Sequence, residues 1–428
     1  MQQPKYVSAI FLVIVAGLLA GCSSSSTSST AAGGPLTGIK KRVLVSDITT
    51  LGGTVAIMDG QKNVINPKTI AAGQPSKIVT ASAQTIILDS TTPQITIWAN
   101  NTETVTTSVT MQAQPFDVAI SPDGQTGYAA IKNVGVVEVV NTSTGAIVGT
   151  FTVPSVARLV EGTNGHKMLA FADNPQGLAA PNTDSFFVID TGTNTAANIA
   201  MPAGSQPFTA VFDPSDANDT TAFILNCGSE CGGTTPPSVV KVNFATVTSP
   251  TFTPVGGSNP VSGATVGLLS GSSLFVAGTP PSPLAGCTLA ACGTLQVIDT
   301  GSLTAGAPIN ITNGTHTAMA ITSNKHLYVG ASGCTVGPVS AQNTVQGCLS
   351  VFDTGSGPSA TNPVVPSESS FRQNFDVTGL QPISGENTIY VVQGGELDIF
   401  DITTSLPSTS IQQIDFPGRA FDVLQIDP

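Results

Sequence analysis

Gln114-Pro115-Phe116-Asp117-Val118-Ala119-Ile120, the turn Ser121-Pro122-Asp123-Gly124, Thr126-Gly127-Tyr128-Ala129 and then Val137-Glu138-Val139-Val140-Asn141 decide the fold of this chain. Short β-branched and aromatic runs broken by Pro-Asp-Gly or Asn are strand and turn chemistry. The run ending at Asn141 carries apolar residues four and two positions before its end, so one face is buried.

The same phrase recurs. Runs of that last type end at Asp59, Ala99, Asn141, Asp190, Phe244, Asp299, Asp353 and Asp401, separated by 40 to 55 positions. This is the spacing of a four-stranded propeller blade. The copies ending at Ala99 and Phe244 are degenerate. An Asp or Asn followed by Thr-Gly or Thr-Ser suits a side chain that hydrogen-bonds its own turn rather than a ligand. A second strand type precedes each copy, with Leu44, Ile87, Tyr128, Leu169, Phe223, Phe275, Tyr328 and Tyr390 as its core stripe. The chain from Lys41 is therefore read as all-β, a propeller of eight four-stranded blades, with seven as the alternative count. It enters on a second-type strand at Arg42 and ends on an orphan, Phe421-Asp422-Val423-Leu424, which repeats Phe116-Asp117-Val118-Ala119. Completing the first blade with the last strand removes the exposed edges.

Strand, Pro-Asp-Gly turn, Tyr-containing strand and Asp-ended strand together resemble the YVTN-type repeat of bacterial propellers, related in shape to lactonase-like propellers. The resemblance spans most of 42–428, with a clean turn signature only at 114–153. At the other end, an apolar stretch from Val7 to Leu19 behind Lys5 leads into Leu19-Ala20-Gly21-Cys22, which resembles the bacterial lipobox. That resemblance implies removal of 1–21 and acylation of Cys22, with palmitate among the acyl groups. Residues 22–40 then form a Ser- and Gly-rich tether and 41–428 the propeller. The expected setting is the bacterial envelope, extracytoplasmic, at the outer membrane rather than the inner because no acidic residue follows Cys22. The lipid bilayer is then one partner, and the body is expected to act as a monomer.

Six further cysteines fall between second-type and Asp-ended strands of three successive blades, which pairs Cys227 with Cys231, Cys287 with Cys292 and Cys334 with Cys348 across their own loops. Export makes disulfides the expected state. The longest insertions, 174–184, 227–237, 278–293 and 331–347, all belong on one face of the ring, the expected surface for an envelope protein or glycan. Aligning the innermost strands puts Asp376, Asp422, Lys77 and Asp117 at one equivalent position near the channel, with Arg372 and Arg419 upstream. These charges either pair across the closing blade or orient a polar ligand.

No cofactor is expected. Asp213, Asp216, Asn218 and Asp219 are the one candidate for Ca2+, without a cation-loop pattern. The three histidines lack metal-ligand spacing, Trp98 stands alone, and no Gly-x-Ser-x-Gly elbow precedes a helix. A formal charge of −12 repels nucleic acid. A non-catalytic binding or scaffold propeller is the favoured reading, and a lactonase-like hydrolase at the channel mouth is the alternative.

Overall fold

A computed structural model describes residues 36–172, 184–280, 292–335, 345–355, 361–364, 376–403 and 410–427. Within them, 33 strands form eight sheets of successive antiparallel strands, each a blade. Blade 3 is the deciding phrase itself: Asp117–Ile120 innermost, then Thr126–Ile131, Val136–Asn141 and Ile147–Thr152. Gly124 closes its first turn at φ +73°, a backbone setting that costs glycine little, while Ser121 Oγ donates to Asp123 Oδ1 at 2.6 Å.

Eight apolar clusters hold the ring, each shared by two neighbouring blades. Between blades 4 and 5, for example, Phe171 and Phe186 stack at 5.7 Å and Phe212 meets Phe244 edge-on at 6.1 Å. Stability is thus spread around the circle. Every blade needs both neighbours to bury its two faces.

The turns after the third strands are built as their Asp and Asn residues require. Asp299 accepts the Ser302 N–H at 2.6 Å, Asp401 that of Thr403 at 2.7 Å, and Asn141 those of Ser143 and Thr144 at 3.1 and 3.0 Å. These backbone bonds hold Asp299 and Asp401 below the usual carboxylate range. One sequence assignment shifts by a residue: the blade 5 strand ends at Asn243, paired with Thr221, and not at Phe244. Asn243 then takes the usual role, accepting from Ala245 N–H at 3.1 Å. One insertion proves partly regular, because the blade 7 strands His326–Thr335 and Val345–Asp353 run into the 331–347 segment expected to be loop.

Closure occurs in blade 1, where Arg42–Thr49 lies between Gly52–Asp59 and the C-terminal Arg419–Gln425. A polar clasp locks that seam. Arg42 donates from Nε and Nη2 to Asp427 at 2.7 and 2.8 Å, its Nη1 reaches Glu103 of blade 2 at 3.2 Å, and Glu103 also receives Lys68 and Thr37. Asp427 and Glu103 raise the Arg42 pKa further, against the cost of burial. Asp427→Asn or Arg42→Ala should therefore lower unfolding free energy by about 2–3 kcal/mol, since hydrogen bonds between charged groups are lost at a partly buried seam. Lys62→Ala, which removes an exposed ammonium from its pair with Asp59, should change it by less than about 0.5 kcal/mol. Denaturant titration of the three variants checks the ranking; equal effects would place the closing energy elsewhere.

Candidate functional site

The innermost strands begin on the face that carries the insertions, and most of them start with a β-bulge. Register breaks at Pro75/Lys77, Val156/Arg158, Pro207/Thr209 and Val377/Gly379 set one residue per blade at a common level of the channel wall. That level reads Asp422, Lys77, Asp117 and Arg158 in blades 1 to 4, and Thr209 in blade 5. Asp376 does not belong to it. The blade 8 strand is Val377–Pro382, and Gly379, opposite Val392 just after the bulge, holds the equivalent place, three residues beyond Asp376. Asp376 instead accepts the Gly333 N–H at 3.0 Å. Arg158, absent from the sequence alignment, takes its place in the series.

The four charges alternate in sign, and each reaches forward to the next blade. Asp422 accepts Ile78 N–H at 2.7 Å, Lys77 donates to Asp117, Asp117 accepts Leu159 N–H at 2.7 Å, and Arg158 donates to the Phe208 carbonyl at 2.7 Å. Burial pushes the Asp422 carboxyl up to about 6 in spite of those backbone bonds and of Lys77. Lys77 and Asp117 thus pair with each other between blades 2 and 3, not across the closing blade, and Asp422 is held by backbone N–H groups. Arg419 is exposed at the start of the C-terminal strand and lies against Gly395, where a Cβ would fall 2.6 Å from its Cγ. Arg372 lies outside the described residues.

One step before that level, large and small side chains alternate: Phe421, Ser76, Phe116, Ala157 and Phe208 in blades 1 to 5. Cations cover two of the rings, Lys132 over Phe116 at 4.6 Å and Arg158 over Phe208 at 3.7 Å. Phe116 remains 50% exposed. Two cavities meet here and share Lys77 and Phe116. One of about 440 Å³ extends to Phe208, Thr265 and Thr317, and one of about 480 Å³ extends to Phe421 and Asp422. His316 lines the first; its Nε2 bonds the Thr312 carbonyl at 3.0 Å, its Nδ1 has no partner, and burial pushes it down to about 4, so the ring is neutral.

Cys227 and Cys231 are joined, as expected, around a short 3-10 turn from Gly228 to Cys231. Cys292 is also disulfide-bonded. Cys22 and Cys287, the insertion at 174–184 apart from Asp184, and most of 278–293 lie outside the described residues, as do the side chains of Cys334 and Cys348. The backbone sets Cys348 opposite Ala331 and Cys334 opposite Gln346. The 227–231 loop carries a residue that no sequence pattern marked. Glu230 crosses to blade 6, accepting Thr279 N–H at 2.7 Å and Ala264 N–H at 3.3 Å, directly beside the cavity residue Thr265. Burial pushes it up to about 7.

The opposite end of the channel wall is acidic. Glu161 ends the blade 4 inner strand with both carboxylate oxygens shielded and unpartnered, and burial, with Asp219 and Asp123 adding, pushes it up to about 8. The calcium candidate divides its carboxylates. Asp213 bonds Ser215, Asp216 bonds Thr220, and Asp219 turns to the Asn164 and His166 N–H groups of blade 4. Among the described residues no group of three or more His, Cys, Asp or Glu is arranged to hold a metal ion.

No family model matches this chain, and no curated protein matches its sequence. Solved structures do resemble it in shape. The dihydro-heme d1 dehydrogenase NirN in complex with DHE aligns at TM-score 0.63 and 8% identity, over 91% of this chain and 75% of that one. Apo AztD from Citrobacter koseri aligns at 0.57 and 12%, over 90% and 98%. A functionally unknown protein from Desulfotomaculum acetoxidans aligns at 0.51 and 12%, over 91% and 99%. At such identities the likeness shows the β-propeller fold alone.

Glu161 and Glu230 give the fold a pH dependence of definite sign. Their folded pKa values, about 8 and about 7, lie above the ordinary 4.5, so protonation favours the folded state. That stabilisation is complete below the ordinary value and is lost as pH rises through about 7 to 8. The melting midpoint should therefore rise as pH is lowered from about 9 to about 5.5, and Glu161→Gln should flatten the rise. A wild-type profile that falls over this window would contradict the assignment.

Proposed function

We propose that this protein is an acylated, envelope-anchored propeller that binds an envelope protein or glycan through its insertion-bearing face, without catalysis. One observation carries the reading. The described chain starts at Leu36 beside Glu103 and enters blade 1 at Arg42, on the face opposite the insertions and the cavities. A tether from Cys22 leaving that side, with a root-mean-square reach of roughly 20 Å, would hold the insertion-bearing face away from the bilayer. The lipobox resemblance and the YVTN-type repeat supply the envelope setting, and acyl chains give the stable anchoring such a module needs.

The hydrolase alternative gains no support from the mouth. Asp117 holds two backbone N–H groups and Lys77, and Asp422 two backbone N–H groups, so both carboxylates are committed to bonds within the channel wall. His316, neutral and bonded to a carbonyl, has no hydroxyl nucleophile as its partner.

Cells fed an alkyne analogue of palmitate should label the wild type, and Cys22→Ser should remove the label and release the protein from the membrane fraction. A photocrosslinker at Ser229, on the insertion face, should capture an envelope partner that one at Asn164, on the opposite face, does not. Absence of label defeats the anchor, and equal capture at both positions defeats the choice of face.

A further inference from the structure

The channel mouth has a composition that selects a ligand class. Its charges, Asp422, Lys77, Asp117 and Arg158, alternate and are each committed to the next blade, so the ring offers no net charge to an ion. What remains for a ligand is apolar and hydroxylic. The half-exposed Phe116, and Phe208 with Arg158 over its ring, line the cavity of about 440 Å³ together with Thr209, Thr265, Thr315 and Thr317. The Thr317 hydroxyl already donates to the Val377 carbonyl at 2.6 Å, which leaves its oxygen to accept. The volumes of the two lobes, about 440 and 480 Å³, fall in the range of small-molecule sites, and the lobes join across Lys77 and Phe116. Beside them, the Glu230 latch from the disulfide loop ties the backbone of Ala264, next to Thr265, to that of Thr279, just past the end of the neighbouring strand. The wall is therefore held rigid before any ligand arrives, which lowers the ordering cost of binding.

We infer that this two-lobed mouth binds an uncharged oligosaccharide. The C–H face of one sugar ring packs on the half-exposed Phe116, the threonine oxygens accept its hydroxyl protons, and a neighbouring unit extends past Lys77 toward Phe421. The cations lining this mouth are already engaged, Lys77 with Asp117 and Arg158 with the Phe208 carbonyl, and the formal charge of −12 on the whole chain opposes the approach of an acidic saccharide. The inference rests on the reading of this face as the recognition face.

Saturation-transfer NMR and calorimetry on the full chain, held in a non-glycosidic detergent, test it with neutral trimers of glucose, mannose and N-acetylglucosamine and with trigalacturonate as the acidic counterpart. At least one neutral trimer should bind, with affinity changing less than about twofold between low and high salt. Phe116→Ala should weaken it about tenfold, as removal of an aromatic anchor does, while Phe252→Ala, an exposed ring on the outer strand of blade 5, should leave it unchanged. Both variants should keep the wild-type melting midpoint, since neither ring is buried. Binding of no neutral trimer, tighter binding of trigalacturonate, or equal effects of the two substitutions would overturn the inference. Capture from Ser229 that persists in any of these cases would leave the broader reading of the face standing.

Discussion

The ladder between Arg42–Thr49 and Arg419–Gln425 is the constraint on which the rest depends. Each apolar cluster belongs to two blades, so a ring left open would expose the apolar faces of blades 1 and 8 and release strand edges able to pair with other chains. Hydrogen bonds between the two ends of the chain convert a row of eight sheets into a circle. The clasp of Arg42, Asp427 and Glu103 adds charge to that seam and ties it to blade 2. Closure also sets the diameter of the channel, and with it which side chains can meet across neighbouring blades.

A closed ring gives its two faces different work. The Asp-capped turns and the end of the N-terminal approach share one face, where hydrogen bonds are local and repetitive. The other face carries the insertion loops, the start of every inner strand and the two joined cavities. Bulges at that end add a residue without adding a rung, which turns side chains toward the channel at a single level. The alternating charges at that level have a structural task, since each one satisfies or carries a bond to the following blade. Committing them in this way leaves the half-exposed Phe116 and the threonine hydroxyls as the surface that the proposed ligand would meet.

Glu230 connects the insertion to the mouth. A disulfide four residues across holds the turn, and the turn delivers a carboxylate to two N–H groups of blade 6. The cost of burying that carboxylate appears as its raised pKa. The loop thereby becomes part of the wall of the site.

Most of the fold was legible in the residues alone. A strand has a period of two and a blade a period of 40 to 55 positions, so core stripes such as Leu44, Tyr128 and Tyr390, the Asp-ended turns and the orphan C-terminal strand are all local patterns. The site was legible only in part. Lys77, Asp117 and Asp422 share one level of the wall, but the Phe-Asp-Val match at 375–377 sets Asp376 just ahead of the blade 8 strand, three residues before the equivalent Gly379, and no acidic motif marks Arg158. Glu230 could not be found, since the N–H groups it meets lie 34 and 49 residues away in the next blade. Repetition writes the number and kind of strands into the chain, whereas register across a bulge and contact between blades depend on how the strands are set against each other once the ring is closed.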